Sequence, residues 1–481
     1  MLFSSFEFLF LFMPLAIAGY YLACRWRPGL VPKIWLIGAS LVFYGWWNPL
    51  YLPLLLGSLL FNFFIALAIL RYPPRQQPGK RKAVFVAGLL CNLALLAYFK
   101  YANFLLDNFN LLSGQELSLA KVILPLGISF FTIQQIAYLV DVYEELAEEK
   151  NFTHYALFVT FFPHLIAGPI LHHKQMTPQF ANPAMQQFQS RNFAVGWFLF
   201  SVGLFKKVVI ADFLADPVNQ AYALAQGAIS SVDAWLAGFG YYFQLYFDFS
   251  GYVDMALGLS LMLNIVLPKN FDSPLRATSI INFWERWHIT LSKFISTYIY
   301  APMVRAFPGR VTFAKSMVAV LVAMLVSGLW HGAAWTYVLF GLAHGVALVI
   351  NHAWRYKKWP MAPWLGGVLT FLFVSFSLVI FRSPQLADTL AIWQAMLGLQ
   401  QHGAAWWTSR VIYIGSAPWM PLATLWLVLG ALMAVCLWTK NSGTYGERFQ
   451  FTPRWLLWHL FLFVAPLFML DGVSTFVYFQ F

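Results

Sequence analysis

The sequence predicts an all-α polytopic membrane protein, and three observations carry that expectation. The 481 residues are 60% hydrophobic and only 10% charged, where soluble domains carry about a quarter charged residues. Apolar runs of spanning length recur from end to end, at 52–70, 83–106, 122–140, 193–211, 232–262, 364–381, 420–438 and 455–470. A helix needs about 20 such residues to cross a bilayer, so roughly eleven or twelve crossings are expected. The runs are continuous rather than alternating, which excludes a β-barrel and leaves helices to satisfy the lipid-exposed backbone.

The opening stretch MLFSSFEFLFLFMPL carries Glu7 and no Lys or Arg, the wrong charge for a cleaved signal peptide. Arg25, Arg27 and Lys33 follow the first apolar run, and Arg71, Arg75, Lys80, Arg81 and Lys82 come two crossings later. The positive-inside rule places both clusters in the cytoplasm and the N-terminus outside. Basic clusters at 269–315 and 355–358, with Lys440, Arg448 and Arg454, continue the pattern, so both termini are expected in the periplasm. The net charge of +12 is spread over these loops, forms no single face and argues against nucleic acid. Cys24, Cys91 and Cys436 lack ligand spacing, so no metal site or disulfide is expected. With no repeat or linker visible, 1–481 reads as a single membrane-embedded domain.

Along the chain, SFFTIQQIAYLVDVY puts Gln134, Tyr138 and Asp141 on one helical face. Residues 153–171 are apolar but broken by Pro163, Gly168 and Pro169, which allows either a full span or a re-entrant element. His172 and His173 are adjacent, diverge by about 100° on a helix and cannot easily chelate one metal. YYFQLYFDFSGYVDMA carries a second polar stripe, with Gln244 and Asp248, then Ser250 and Asp254. Both stripes suit interhelical hydrogen bonds or a substrate channel. Asp248, a carboxylate in mid-span, needs a partner or water.

INFWERWHITLSKF reads as an amphipathic interfacial helix. Its apolar side is Phe283, Trp284, Trp287, Leu291 and Phe294, its polar side Glu285, Ser292 and Lys293, with His288 at the border. That helix anchors the chain or presents His288 to a cytoplasmic entrance. Arg286 and Lys293 offer cations to an anionic ligand, or merely hold topology.

The run from Ser316 to Asn351 would be over about 50 Å long as one helix, too long for a core of about 30 Å. Lys315 and Arg355 both belong in the cytoplasm, so two antiparallel helices should meet near Gly328–Ala334, in arms of about 16 residues. His331 then sits at a turn inside the membrane. It is either functional or satisfied by a carbonyl and packed between Trp330 and Trp335; His344, one arm later, reads as a packed histidine. Residues 383–418, with Trp406 and Trp407, read as an outer loop with interfacial anchors. There is no G-x-S-x-G elbow, P-loop or Rossmann glycine pattern.

FFTIQQIAYLVDVY, FPHLIAGPI, YFQLYFDFSGYVDMALGLSLMLNI, NFWERWHITLS and SGLWHGAAWTYVLFGLAHG together closely resemble the membrane-bound O-acyltransferase family. The nearest branch is that of the alginate O-acetyltransferases and D-alanyl transfer proteins, and the resemblance runs from the N-terminus to at least residue 350. It implies a ring of helices around a thinned centre, with re-entrant and interfacial helices. It implies that His331 of WHG is catalytic and that His288 of RWHITLS is the second functional histidine. It further implies an acyl thioester donor such as acetyl-CoA on the cytoplasmic side and no bound cofactor. The acceptor would be an exported cell-envelope polysaccharide, alginate- or cellulose-like, reached from a bacterial inner membrane. A periplasmic SGNH-type acetyltransferase and a polysaccharide synthase complex are the implied partners. Phe294, Ser296-Thr297 and MVRAF depart from the branch's usual Trp, Arg-Asp and LGG, so the alginate substrate itself is not carried over. His331 would act as general base, with Gln134, Tyr138, Asp141, Asp248, Trp330 and Trp335 as channel candidates, and a backbone amide or Trp330 as oxyanion donor. The alternative is a polysaccharide or lipid transporter, or an export scaffold, without catalysis.

Overall fold

A computed structural model describes residues 1–119, 122–226, 229–399, 411–414 and 417–470. Trp406 and Trp407 lie outside them. The chain divides into two compact units, Met1–Ser201 with Tyr252–Pro268, and Val202–Gly251 with Lys269–Phe481. Two of the boundaries fall within helices, α9 and α11, and the third falls after α11, between Pro268 and Lys269.

The first unit opens with α1 (Met13–Trp26), α2 (Leu30–Gly45), α3 (Leu52–Arg71), α4 (Pro78–Leu96) and α5 (Ala102–Ser113), followed by α6 (Ile128–Tyr143), α7 (Phe152–Thr160), α8 (His173–Ala181) and the start of α9 (Ser190–Phe205). Proline in the first turn starts α3 and α4, where its missing N–H costs nothing. Phe3, Phe8, Phe12, Phe43 and Phe162 form an aromatic core with ring centroids 4.9–6.5 Å apart. Asn62 and Asn92 exchange amide hydrogen bonds at 3.1 and 2.7 Å between α3 and α4, the polar link that membrane helices favour.

Arg81, a member of the basic cluster at 71–82, is buried. Its guanidinium donates to the carbonyls of Ile69 (3.1 Å) and Tyr72 (3.2 Å), and to those of Val142 (2.8 Å) and Tyr143 (3.0 Å). The last carbonyls of a helix lack intrahelical partners and carry partial negative charge. One arginine therefore closes the ends of α3 and α6 together.

The broken stretch 153–171 becomes the nine-residue α7 and then a non-helical, almost wholly buried run from Phe161 to Leu171. Irregular backbone of this kind needs protein around it, and it has it.

The second unit takes in the rest of α9, then α10 (Asp212–Ala223), most of α11 (Ser231–Met262), α12 (Ile280–Trp284), α13 (Ile289–Ile295), α14 (Ala301–Ala306), α15 (Phe313–His331), α16 (Trp335–Tyr356), α17 (Pro363–Arg382) and α18 (Leu386–Met396). A short antiparallel pair, Val411–Ile414 with Ala417–Pro421, precedes α19 (Leu422–Trp438), α20 (Ser442–Glu447) and α21 (Pro453–Leu467).

Among the described residues, seven helices are long and apolar enough to cross a membrane, and α2 and α19 are shorter apolar helices. The rule of continuous apolar runs anticipated more. The difference has a local cause: the run at 122–140 yields only the 16-residue α6 with its polar stripe, and the run at 455–470 yields a 15-residue helix. The predicted hairpin is present with longer arms, of 19 and 22 residues. Its two helices meet through glycine. A Cβ on Gly328 would overlap the Tyr337 carbonyl and lie 3.0 Å from the Gly341 Cα, so small residues set this close approach.

Candidate active site

Thr312 caps α15, its side chain accepting from the Lys315 amide at 3.3 Å, and the helix runs without interruption to His331, its last residue. Gly332 then turns the chain. The Tyr337 ring occupies the space a Cβ would need there, so no larger residue can follow the histidine without displacing that ring. His331 is 5% exposed. Its ring lies 5.0 Å from that of Trp330, 5.2 Å from Phe381 and 6.1 Å from Phe340.

His288 departs from the amphipathic-helix expectation. The predicted helix is broken into α12 and α13, and His288 caps α13 from a left-handed conformation with φ +43°. It is fully buried rather than at an interfacial border. A non-glycine residue is rarely held in that region, and such strain gathers at functional sites. The cause is tertiary: the turn at Glu285–His288 lets the ring enter the unit, 4.9 Å from Phe249 and 5.8 Å from Trp330. Trp330 thus lies between the two histidines.

Hydrogen bonding fixes the state of His288. Asn270 Oδ1 accepts from the Thr290 amide (3.0 Å) and the Thr290 hydroxyl (2.8 Å), which identifies that atom as the oxygen. It also contacts His288 Nδ1 at 3.2 Å, so Nδ1 carries the proton and Nε2 is the acceptor of the ring. Burial pushes the His288 pKa down to about 3, so the ring is neutral at physiological pH.

The remaining candidates are distributed as follows. Trp335 opens α16 and is 55% exposed, so His331 is not enclosed between two buried tryptophans. Asp248 has a counter-ion: Lys207 Nζ lies 2.7 Å from its carboxylate and 2.7 Å from that of Asp212. This buried triad was missed in the sequence, although Lys207 inside the apolar run 193–211 was its visible signal. Gln134, Tyr138 and Asp141 are all buried on α6, in the first unit. Tyr138 donates to the Glu149 carbonyl at 3.0 Å, and Asp141 pairs with His172 at 3.1 Å. His173 packs against Tyr138 and Phe158 instead. Arg286 is tied down, donating to Asn282 Oδ1 (3.0 Å) and the Asp272 carbonyl (2.9 Å), whereas Lys293 is exposed. Asn270 and Phe249, which hold His288, carried no sequence signal.

Fold and site together define a polytopic helical membrane protein with two buried histidines in ring contact with one tryptophan at the end of an apolar hairpin. The sequence matches the model of the membrane-bound O-acyltransferase family over residues 84–390. The chain belongs to that family and is an acyltransferase. It is 43% identical over 430 residues to a peptidoglycan O-acetyltransferase of Helicobacter pylori, covering 83% of this chain and 80% of the relative. It is 38% identical over 403 residues to the "probable alginate O-acetylase AlgI" of Azotobacter vinelandii, covering 82% and 78%. A teichoic acid D-alanyltransferase of Streptococcus thermophilus is 31% identical over 284 residues, covering 53% of this chain and 68% of the relative.

Proposed function

We propose that this chain works in a bacterial inner membrane and moves an acetyl group from a cytoplasmic thioester, such as acetyl-CoA, to hydroxyls of an exported cell-envelope polysaccharide. The observation that carries the reading is His331, buried at the end of α15 on the same tryptophan as His288. A thioester is already activated, so the protein has to place a hydroxyl beside it, remove a proton and stabilise the oxyanion. Histidine is the side chain that most often serves as general base, and His331 is the one proposed for that role. It takes the hydroxyl proton as the oxygen attacks the acyl carbon. The C–S bond then breaks and the thiolate leaves, receiving the proton from the imidazolium. Such a base supplies about 10²–10⁴-fold, and positioning in a water-poor site supplies more. Trp330, next to His331, or a nearby backbone amide would assist at the oxyanion. Gln134, Tyr138, Asp141, Asp248 and Trp335 remain channel candidates, and Lys293, exposed and cationic, is favoured over the tied-down Arg286 for contact with an anionic donor.

The glycan is a cell-envelope polysaccharide of the kind the relatives' names describe, peptidoglycan or an exopolysaccharide. An SGNH-type periplasmic transferase would receive the acyl group, beside a polysaccharide synthase complex. The test supplies radiolabelled acetyl-CoA to membrane vesicles from cells carrying the wild-type or His331→Ala protein. Alkali-labile label in purified sacculi and in secreted polymer is then counted separately. Label in one fraction, lost in the variant, supports the enzyme and names the acceptor. Undiminished label in His331→Ala removes the catalytic assignment of His331.

A further inference from the structure

His344 lies four residues past Phe340 on α16, fully inside the second unit, 1% exposed. The Trp284 indole N–H donates to His344 Nδ1 at 3.2 Å. An indole nitrogen can only donate, so Nδ1 is the acceptor and the proton sits on Nε2. Nε2 donates in turn to the Ser377 hydroxyl at 2.9 Å, and that hydroxyl donates to the Val374 carbonyl at 2.8 Å. The chain runs one way, from Trp284 on α12 through His344 on α16 to α17. The rings agree: His344 lies 5.2 Å from Trp284, 4.5 Å from Phe340 and 5.0 Å from Phe373.

Trp284 is the last residue of α12. The next four residues make the turn that ends at His288 with φ +43°, held by the Arg286 and Trp287 amides donating to the Phe283 carbonyl at 2.9 and 2.8 Å. Where Trp284 is held, the turn is held, and the turn sets where the His288 ring meets Trp330. We propose that His344 is a positioning residue for the active site, acting through Trp284 to fix the His288 turn and touching no substrate itself. The proposal rests on the acyltransferase reading above.

The side chains at 344 separate this role from packing. Asparagine places an acceptor where Nδ1 stands and keeps the indole bond. Glutamine places its amide where Nε2 stands and keeps the Ser377 bond. Phenylalanine keeps volume and loses both. The assay is turnover of radiolabelled acetyl-CoA in vesicles, with kcat and KM measured for His344→Asn, His344→Gln, His344→Phe, Trp284→Phe and the Trp284→Phe/His344→Phe double variant. Protein amount and monodispersity in detergent are recorded for each. A buried hydrogen bond lost on one side corresponds to a fall of about tenfold or more in kcat. That loss is expected for Phe and Gln, with Asn close to wild type, KM little changed, and the double variant no worse than its worse single. Equal loss in Asn and Gln, additive losses in the double variant, or full turnover in His344→Phe would overturn the proposal. A His331→Ala control separates the two readings: if it retains turnover the assignment of His331 as the base fails, and if it is dead while the His344 series is flat only the positioning role fails.

Discussion

At the scale of single residues, His288 combines two features that make opposite demands on a substitution. Its φ of +43° favours Gly, Asn or Asp, while its ring is held by Asn270. His288→Asn should therefore preserve the turn and lose the imidazole, whereas His288→Ala also strains the backbone. The pH dependence follows from burial. The folded pKa of His288 is about 3, against about 6.5 in the unfolded chain. Between these values the unfolded chain binds a proton that the folded one does not, so stability is lost as pH falls below about 6.5. Burial lowers His164 to about 3 and His173 to about 4, with the same sign. Thermal unfolding in detergent from pH 7 to pH 5 should show this decline. His288→Asn should flatten the slope by about 1.4 kcal/mol per pH unit in the lower part of the range. An unchanged slope would mean that His288 titrates normally.

At the scale of elements, two devices hold helices at fixed distances. The first is the glycine contact of the hairpin, where Gly328 and Gly341 leave no room for larger side chains and a Cβ on Gly345 would lie 3.2 Å from Leu321 and Met324. Gly328→Ala should cost about 1–3 kcal/mol by overpacking, seen as a lower unfolding temperature. Gly430→Ala on α19, where an added Cβ meets nothing, should be neutral. Equal effects of the two would remove the packing argument. The second device is the Lys207 triad, which ties the segment after α9 to α10 and α11. Lys207→Met leaves two buried carboxylates facing each other and should cost about 3–5 kcal/mol. Adding Asp212→Asn and Asp248→Asn should restore most of the folded yield, measured by size exclusion. No recovery would show that the lysine is needed for more than charge balance. This ion pair also accounts for a carboxylate in mid-span at Asp248.

At the scale of the whole molecule, donor and acceptor are proposed to lie on opposite sides of the membrane, so orientation is the property to test. The proposed orientation takes the basic clusters at 25–33, 71–82, 269–315 and 355–358 as cytoplasmic. The burial of Arg81 removes one charge from that count without changing its sign, since Arg71, Arg75, Lys80 and Lys82 remain exposed or partly exposed. A reporter active only in the periplasm, fused after Phe481, is expected to be active, and one fused in the 71–82 loop to be silent. The reverse pattern would invert the topology and with it the side from which the donor reaches His331.

The sequence by itself determined the membrane class, the hairpin ending at His331, the polar stripes on α6 and α11 and the family. These are properties of local composition, periodicity and motif, each contained within a few turns of helix. What only tertiary structure decided is how polar groups far apart in the chain satisfy one another. Arg81 reaches the carbonyls of Val142 and Tyr143, Lys207 reaches Asp248, and Asn270 fixes the tautomer of His288. The break between α12 and α13 belongs to the same class. A continuous helix would satisfy the local pattern of INFWERWHITLSKF, and the left-handed turn is favourable only because it delivers a buried ring to Asn270, Phe249 and Trp330. A buried polar group must find a partner wherever the fold provides one, and sequence spacing does not reveal partners tens of residues away.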